Sequence, residues 1–129
     1  MLFKNFKRDP GPYVFAMFAL TGGFLEAFTF LLHGGVFCNA QTGNLVMLVI
    51  NFVGGDFPSG LRYLYSILAY VFGILLSVAI PLCLRRVNLP LAVTAAEIAV
   101  LAALAFIPES VPDWVTYATV SFVCAVQYN

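Results

Sequence analysis

The chain has 129 residues, 62% hydrophobic and 9% charged, and its six Lys and Arg balance six Asp and Glu. An ordinary soluble domain carries about 25% charged residues. A chain so poor in charge, with a mean hydropathy of +0.97, cannot cover a water-facing surface, so its outer solvent should be lipid. A formal net charge of 0 and so few basic side chains exclude the electrostatic footprint of a nucleic-acid binder.

In chain order, Lys4, Lys7 and Arg8 open a short basic entry, and Asp9-Pro10 and Gly11-Pro12 suit a helix start. A secretory signal would also begin with basic residues. Here the apolar run is too long and no small-residue cleavage site follows, so the reading is an uncleaved first membrane segment over 13–32. At 1.5 Å per residue, about 20 residues span the roughly 30 Å of a hydrocarbon core. Gly22, Glu26, Thr29 and His33 recur along one face of that helix, while Phe24, Phe28 and Leu31 cover the others.

A Gly- and amide-rich interruption follows, Gly34 to Asn44, inside one apolar block running from Tyr13 to Val53. Lipid penalises each unpaired backbone N–H or C=O by several kcal/mol. Such a segment therefore persists at membrane depth only where protein covers it or a wet cavity bathes it. Segment two, over 35–53, barely spans. Residues 54–60 read as a turn-rich loop, 61–84 as segment three with Tyr63, Ser66, Tyr70, Gly73 and Ser77 as a small or polar stripe, 89–107 as segment four capped by Asn88, and 114–129 as a short segment five capped by Asp113. Trp114 and Tyr117 read as interfacial anchors. The expected fold class is an all-α transmembrane bundle, one membrane domain over 1–129 with about five segments and a broken or re-entrant second one. Segment five falls short of a full span, so the expectation is a chain cut off within it.

The positive-inside rule puts Lys4, Lys7 and Arg8, and so the N-terminus, in the cytoplasm. If segment two re-enters rather than crosses, Arg85 and Arg86 also fall inside, and Asp56, Glu109 and Asp113 outside. Of the loop charges only Arg62 then disagrees, so the re-entrant arrangement fits better.

The chemistry-bearing residues are few. Glu26 and Glu97 are acids in the middle of membrane helices, with no intramembrane Lys or Arg to pair with. Such acids often mark ion or proton pathways, the bland alternative being a protonated carboxyl acting as interhelical glue. His33, where helix one meets the break, could relay protons or simply cap the helix end. Asn39, Gln41, Thr42 and Asn44 offer amides and a hydroxyl to a cation or polar solute; the bland alternative is that Thr42 or Asn44 caps segment two. Tyr70 and Ser66 could line the same cavity or only pack. Cys38, Cys83 and Cys124 show no CxxC or Cys/His metal spacing and read as small buried hydrophobes, so no metal, cofactor or disulfide framework is expected. Cys38 lies five residues from His33, but without an orienting third group the pair does not make a nucleophilic enzyme.

Gly22-Gly23-Phe24-Leu25-Glu26-Ala27, then Gly34-Gly35-Val36-Phe37, then Gln41-Thr42-Gly43-Asn44 resemble the YoaK family of bacterial inner-membrane proteins, a domain of unknown function. The likeness spans the chain and the first part of a usual member. Glu26 stands where the family usually has Asp. In the family the motif region recurs in weaker form after a Gln-Asn pair, which Gln127-Tyr128-Asn129 approaches with Tyr128 interposed. The resemblance implies six or seven segments and a duplicated core. With segment two re-entrant, the two units would run in opposite directions, an inverted repeat whose broken helices commonly form transporter sites. The functional expectation is therefore a small-solute or ion permease of the cell (inner) membrane, not an enzyme, with Glu26, His33, Asn39, Gln41, Thr42, Asn44 and Glu97 at its site. Its partners would be the bilayer, a small solute or ion and, for the small-residue stripes, a second copy of the chain. The alternative is a non-transporting scaffold or partner subunit.

Overall fold

The computed structural model describes residues 11–83, 89–104, 106, 108 and 111–127, with the side chains of 80–83, 89–93, 96 and 97 outside that description. The expectations placed on Lys4, Lys7, Arg8, Arg85, Arg86, Asn88 and Glu109, and on the side chain of Glu97, lie outside the described residues. Among the described residues there are five helices and no strand: α1 Gly11–Leu32, α2 Gln41–Val53, α3 Phe57–Cys83, α4 Leu89–Leu104 and α5 Asp113–Gln127.

Two of these, Gly11–Leu32 and Phe57–Ala79, are long and apolar enough to cross a membrane, and only 17% of the apolar window of each is buried within the fold. The core helix of a soluble protein would hide most of that surface. Here Phe15, Phe24, Leu31, Leu75 and Val78 point outward. What is buried is the small and polar side. On α1 the buried residues are Gly22, Leu25 and Thr29. On α3 the stripe Tyr63, Ser66 and Gly73 is buried, with Tyr70 and Ser77 half-buried.

Helix directions follow from three sets of contacts. Tyr63 packs with Tyr117, Ser66 lies 2.7 Å from Ser121, and Gly73 faces Phe122 and Ala125, so α3 and α5 run parallel. Asn44 bonds Ser66 and Phe52 covers Gly60, so α2 runs antiparallel to α3. His33 meets Asp113 and Leu25 packs with Val120 and Cys124, so α1 runs antiparallel to α5. The C-terminal end of α1 and the N-terminal ends of α3 and α5 therefore lie at one end of the bundle.

At the α3–α5 seam a glycine meets backbone. A Cβ on Gly73 would stand 2.7 Å from both Ala125 Cβ and the Phe122 carbonyl oxygen. Small residues permit this distance.

Helix α3 begins earlier than its turn-rich sequence suggests. The loop ends at Asp56, whose Oδ1 accepts the Ser59 N–H at 3.2 Å and whose carbonyl accepts the Gly60 N–H at 3.1 Å. Pro58 falls in the first turn, where a missing N–H costs nothing, so residues 57–60 are helix rather than loop. Asp113 also differs from expectation. It is the first residue of α5, and its carboxylate turns to His33 instead of capping its own helix.

Candidate functional site

The site is built where the chain doubles back. Gly34 and Gly35 take φ values of +81° and +71°, a left-handed conformation that residues with a Cβ rarely adopt. They reverse the chain at the end of α1. Residues 36–40 then run back alongside the last turns of the same helix. Val36 and Cys38 are fully buried, Val36 against Tyr63 and Tyr117, and Cys38 against Leu25, Val120 and Cys124. Phe37 stacks on Phe30 with ring centroids 4.6 Å apart.

Seven residues separate Glu26 from His33, so Glu26 lies about 10 Å back from the end of α1. The fold-back segment ends there. Glu26 Oε2 accepts the Asn39 N–H at 2.9 Å and the Cys38 S–H at 3.1 Å, and Oε1 accepts the Ala40 N–H at 3.1 Å. Ala40 is the N-cap position of α2 and supplies no side-chain cap. The carboxylate arrives instead from another helix, at the end of α2 where the macrodipole is positive and favours an anion.

A second knot sits one turn into α2. Asn44 is fully buried. Its Oδ1 accepts the Phe37 N–H at 2.9 Å, and its Nδ2 reaches the Phe37 carbonyl at 2.6 Å, Gln41 Oε1 at 2.9 Å and Ser66 Oγ at 3.1 Å. Gln41 donates to the Cys38 carbonyl at 2.8 Å, and Ser66 to the Phe37 carbonyl at 3.1 Å. Five backbone groups of the break, the N–H and C=O of Phe37, the C=O of Cys38 and the N–H groups of Asn39 and Ala40, are thus given partners by side chains of α1, α2 and α3.

Of the residues singled out by sequence, the structure brings Glu26, Asn39, Gln41 and Asn44 together. Asn44 does not cap α2; its amide is turned to Phe37 and Ser66. Thr42 stands exposed on the first turn of α2, outside this network. His33 shares the helical face of Glu26 but not its surroundings: its Nδ1 lies 3.0 Å from Asp113 Oδ1 at the bundle end, and its ring packs on Phe28. Glu97 belongs to α4, with its side chain outside the described residues. Ser66 is packed in the seam, whereas Tyr70 reaches the cavity described next. Cys124 is buried, as its reading as a small hydrophobe expected, whereas Ser121 was not anticipated; it lies four residues after Tyr117 on α5, which is the one signal it gave.

Beside the clasp is an open groove of about 550 Å³, a cavity only in the sense of a surface recess. Ala19, Gly22, Gly23 and Glu26 form its α1 wall, Asn39 and Ala40 its floor, and Tyr70 its α3 side. Asn39 Oδ1 is buried without a hydrogen-bond partner. No group of three or more His, Cys, Asp or Glu able to hold a metal ion occurs among the described residues. Glu26 therefore has two faces: one fastens the fold-back segment and the other borders open space.

A family model described as "Protein of unknown function (DUF1275)" matches residues 14–129. No curated protein and no solved structure matches the chain.

Proposed function

We propose that this chain, which belongs to the DUF1275 family, is a multi-pass membrane permease for a small solute or ion, with its site in the cavity beside Glu26. Support for the bilayer comes from the outward apolar faces of α1 and α3 and from the fold-back segment. Irregular backbone survives at membrane depth only where protein or a wet cavity satisfies its polar groups, and the Phe37 N–H and C=O, the Cys38 C=O and the N–H groups of Asn39 and Ala40 have side-chain partners. By the positive-inside rule Lys4, Lys7 and Arg8 face the cytoplasm of a cell (inner) membrane. The end carrying His33, Asp56, Arg62 and Asp113 is then outside, and α2 is a re-entrant segment that dips to mid-depth and returns.

The observation that carries the reading is the double duty of Glu26. As a carboxylate it accepts from three donors of the fold-back segment. On protonation one oxygen becomes a hydroxyl and changes from acceptor to donor, so the clasp weakens and the floor of the cavity is freed to move. One proton would thus couple to the shape of a solute site. This supplies the two-state element that alternating access needs.

The test is reconstitution of the full-length protein into liposomes with an entrapped pH-sensitive dye, challenged with small amines, amino acids, sugars and carboxylates. Solute-dependent proton movement that disappears in Glu26→Gln and persists in Glu26→Asp supports the mechanism. Unaltered movement in Glu26→Gln removes Glu26 from it. The competing reading is a non-transporting scaffold, favoured by the same three hydrogen bonds taken as a permanent staple. It predicts a stable co-purifying partner and no flux of any solute.

A further inference from the structure

We propose that the groove beside Glu26 takes a small organic cation bearing N–H donors, a primary alkylammonium, held head-first against the Glu26 carboxylate with the Asn39 side chain beside it. This rests on the reading of that cavity as the solute site and names the solute's chemistry.

The argument is a census of what the cavity can offer. Its nearest backbone donors, the N–H groups of Asn39 and Ala40, are already engaged by Glu26. Its acceptors are not all used. A carboxylate presents about four lone-pair positions, of which the three bonds fill three. Asn39 Oδ1 is buried and receives no donor. Glu26 and Asn39 line the same groove, with Oδ1 itself just beneath its surface. A ligand that relieves them must donate, and an ammonium head brings three donors and no acceptor.

Charge points the same way. Among the described residues no cationic side chain is bonded to Glu26. Arg62 donates to Ser59 at the start of α3, and His33 is engaged with Asp113 at the bundle end. Size and lining then choose between cations. A bare alkali ion would meet few protein oxygens and leave most of the roughly 550 Å³ unfilled. That volume lies in the range of small-molecule sites, about 300–1,000 Å³. Ala19, Gly22, Gly23 and Ala40 form an apolar wall for a short alkyl tail, and Tyr70 adds an aromatic side chain able to contribute cation–π attraction.

The experiment compares three ligands with the same four-carbon tail on the purified full-length protein in lipid nanodiscs, by calorimetric titration at neutral pH. n-Butylammonium should bind saturably, and sodium butyrate and 1-butanol should not. Loss of a charged hydrogen-bond partner costs about 1.5–3 kcal/mol, so Glu26→Gln should weaken n-butylammonium by about tenfold to a hundredfold. Asn39→Asp adds an anionic acceptor at the second contact and should tighten it. Thr42→Ala, outside the cavity, should change nothing. Butyrate or butanol binding as tightly, or wild-type protein of native helicity that shows no saturable n-butylammonium binding, overturns the proposal. So does n-butylammonium binding equally to Glu26→Gln and Asn39→Asp. Saturable binding with no flux of any solute leaves this inference standing and removes the permease. Glu26-dependent flux of an anion or a sugar keeps the permease and overturns the inference.

Discussion

Helix α3 meets α5 through small residues, backbone nearly against backbone, whereas α1 is tied to α2 through a carboxylate and its donors. At its centre the first contact leaves no space, with Gly73 against Ala125 and the Phe122 carbonyl and Ser66 against Ser121. The groove of about 490 Å³ farther along it is lined by Tyr65, Leu68, Trp114 and Ala118, none of them ionisable as an acid or base near neutral pH. The second contact leaves a cavity at its side. The difference separates two ways of joining helices, and in the proposed bilayer neither would draw on a hydrophobic drive between them. Close packing gives a seam with one arrangement. A polar clasp gives a joint that chemistry can open, because its strength depends on the number of acceptors on one side chain.

That contrast can be broken at the seam first. Gly73→Val should cost about 3 kcal/mol, the upper range for an overpacked site, because the obstructing atoms are a backbone oxygen and a helix-borne methyl rather than the tip of a flexible side chain. Reversible unfolding in mixed micelles measures it, and a cost below about 1 kcal/mol would mean that the seam is loose.

Asn44→Ala comes next, at about 2 kcal/mol, since it strips partners from buried backbone groups of Phe37 and from Ser66. Its effect should reach both regions, because Asn44 is where fold-back, α2 and α3 meet. Amide exchange should rise from Phe37 to Asn44 and also near Ser66.

Glu26→Gln sharpens the comparison by acting on one side alone. The amide keeps one acceptor oxygen and turns an NH2 group toward N–H donors, at about 1 kcal/mol. Exchange at the Asn39 and Ala40 amides should accelerate while the amides around Ser121 keep their protection. Equal loss at both places would show that clasp and seam are one cooperative unit.

The smallest effect lies at the bundle end. The Ser59 hydroxyl and N–H, with Arg62 nearby, hold the exposed Asp56 carboxyl below its ordinary value of 3.8. A depressed carboxyl contributes stability that is complete above the ordinary value and is lost as pH falls through the lowered one. The Ser59 amide resonance should therefore shift only in strongly acidic solution, beginning below about pH 4. Asp56→Asn should flatten that titration without touching either Gly73 or Glu26.

Much of the helical framework was legible in residue spacing. Gly22 and Thr29 on α1, and Tyr63, Ser66 and Gly73 on α3, are the buried faces that the three-and-four repeats indicated. The break between α1 and α2 was marked by its glycines and amides. Spacing failed where partners are far apart in sequence. It grouped His33 with Glu26, yet His33 is held by a residue 80 positions away. It gave Cys38 only as a small hydrophobe, and it passed over Ser121. Counting turn-forming residues also misplaced the start of α3, because Pro and Ser suit a first helical turn as well as a loop.

By itself the sequence determined an apolar, charge-poor helical chain, the approximate extent of its first helix and the position of the polar interruption, since each depends on composition or on the 3.6-residue period. Only the tertiary structure decided which way the interruption turns and what receives its backbone. Those outcomes rest on two left-handed glycines and on hydrogen bonds from Glu26 to residues 12 to 14 positions onward, and no periodicity encodes a contact at that distance.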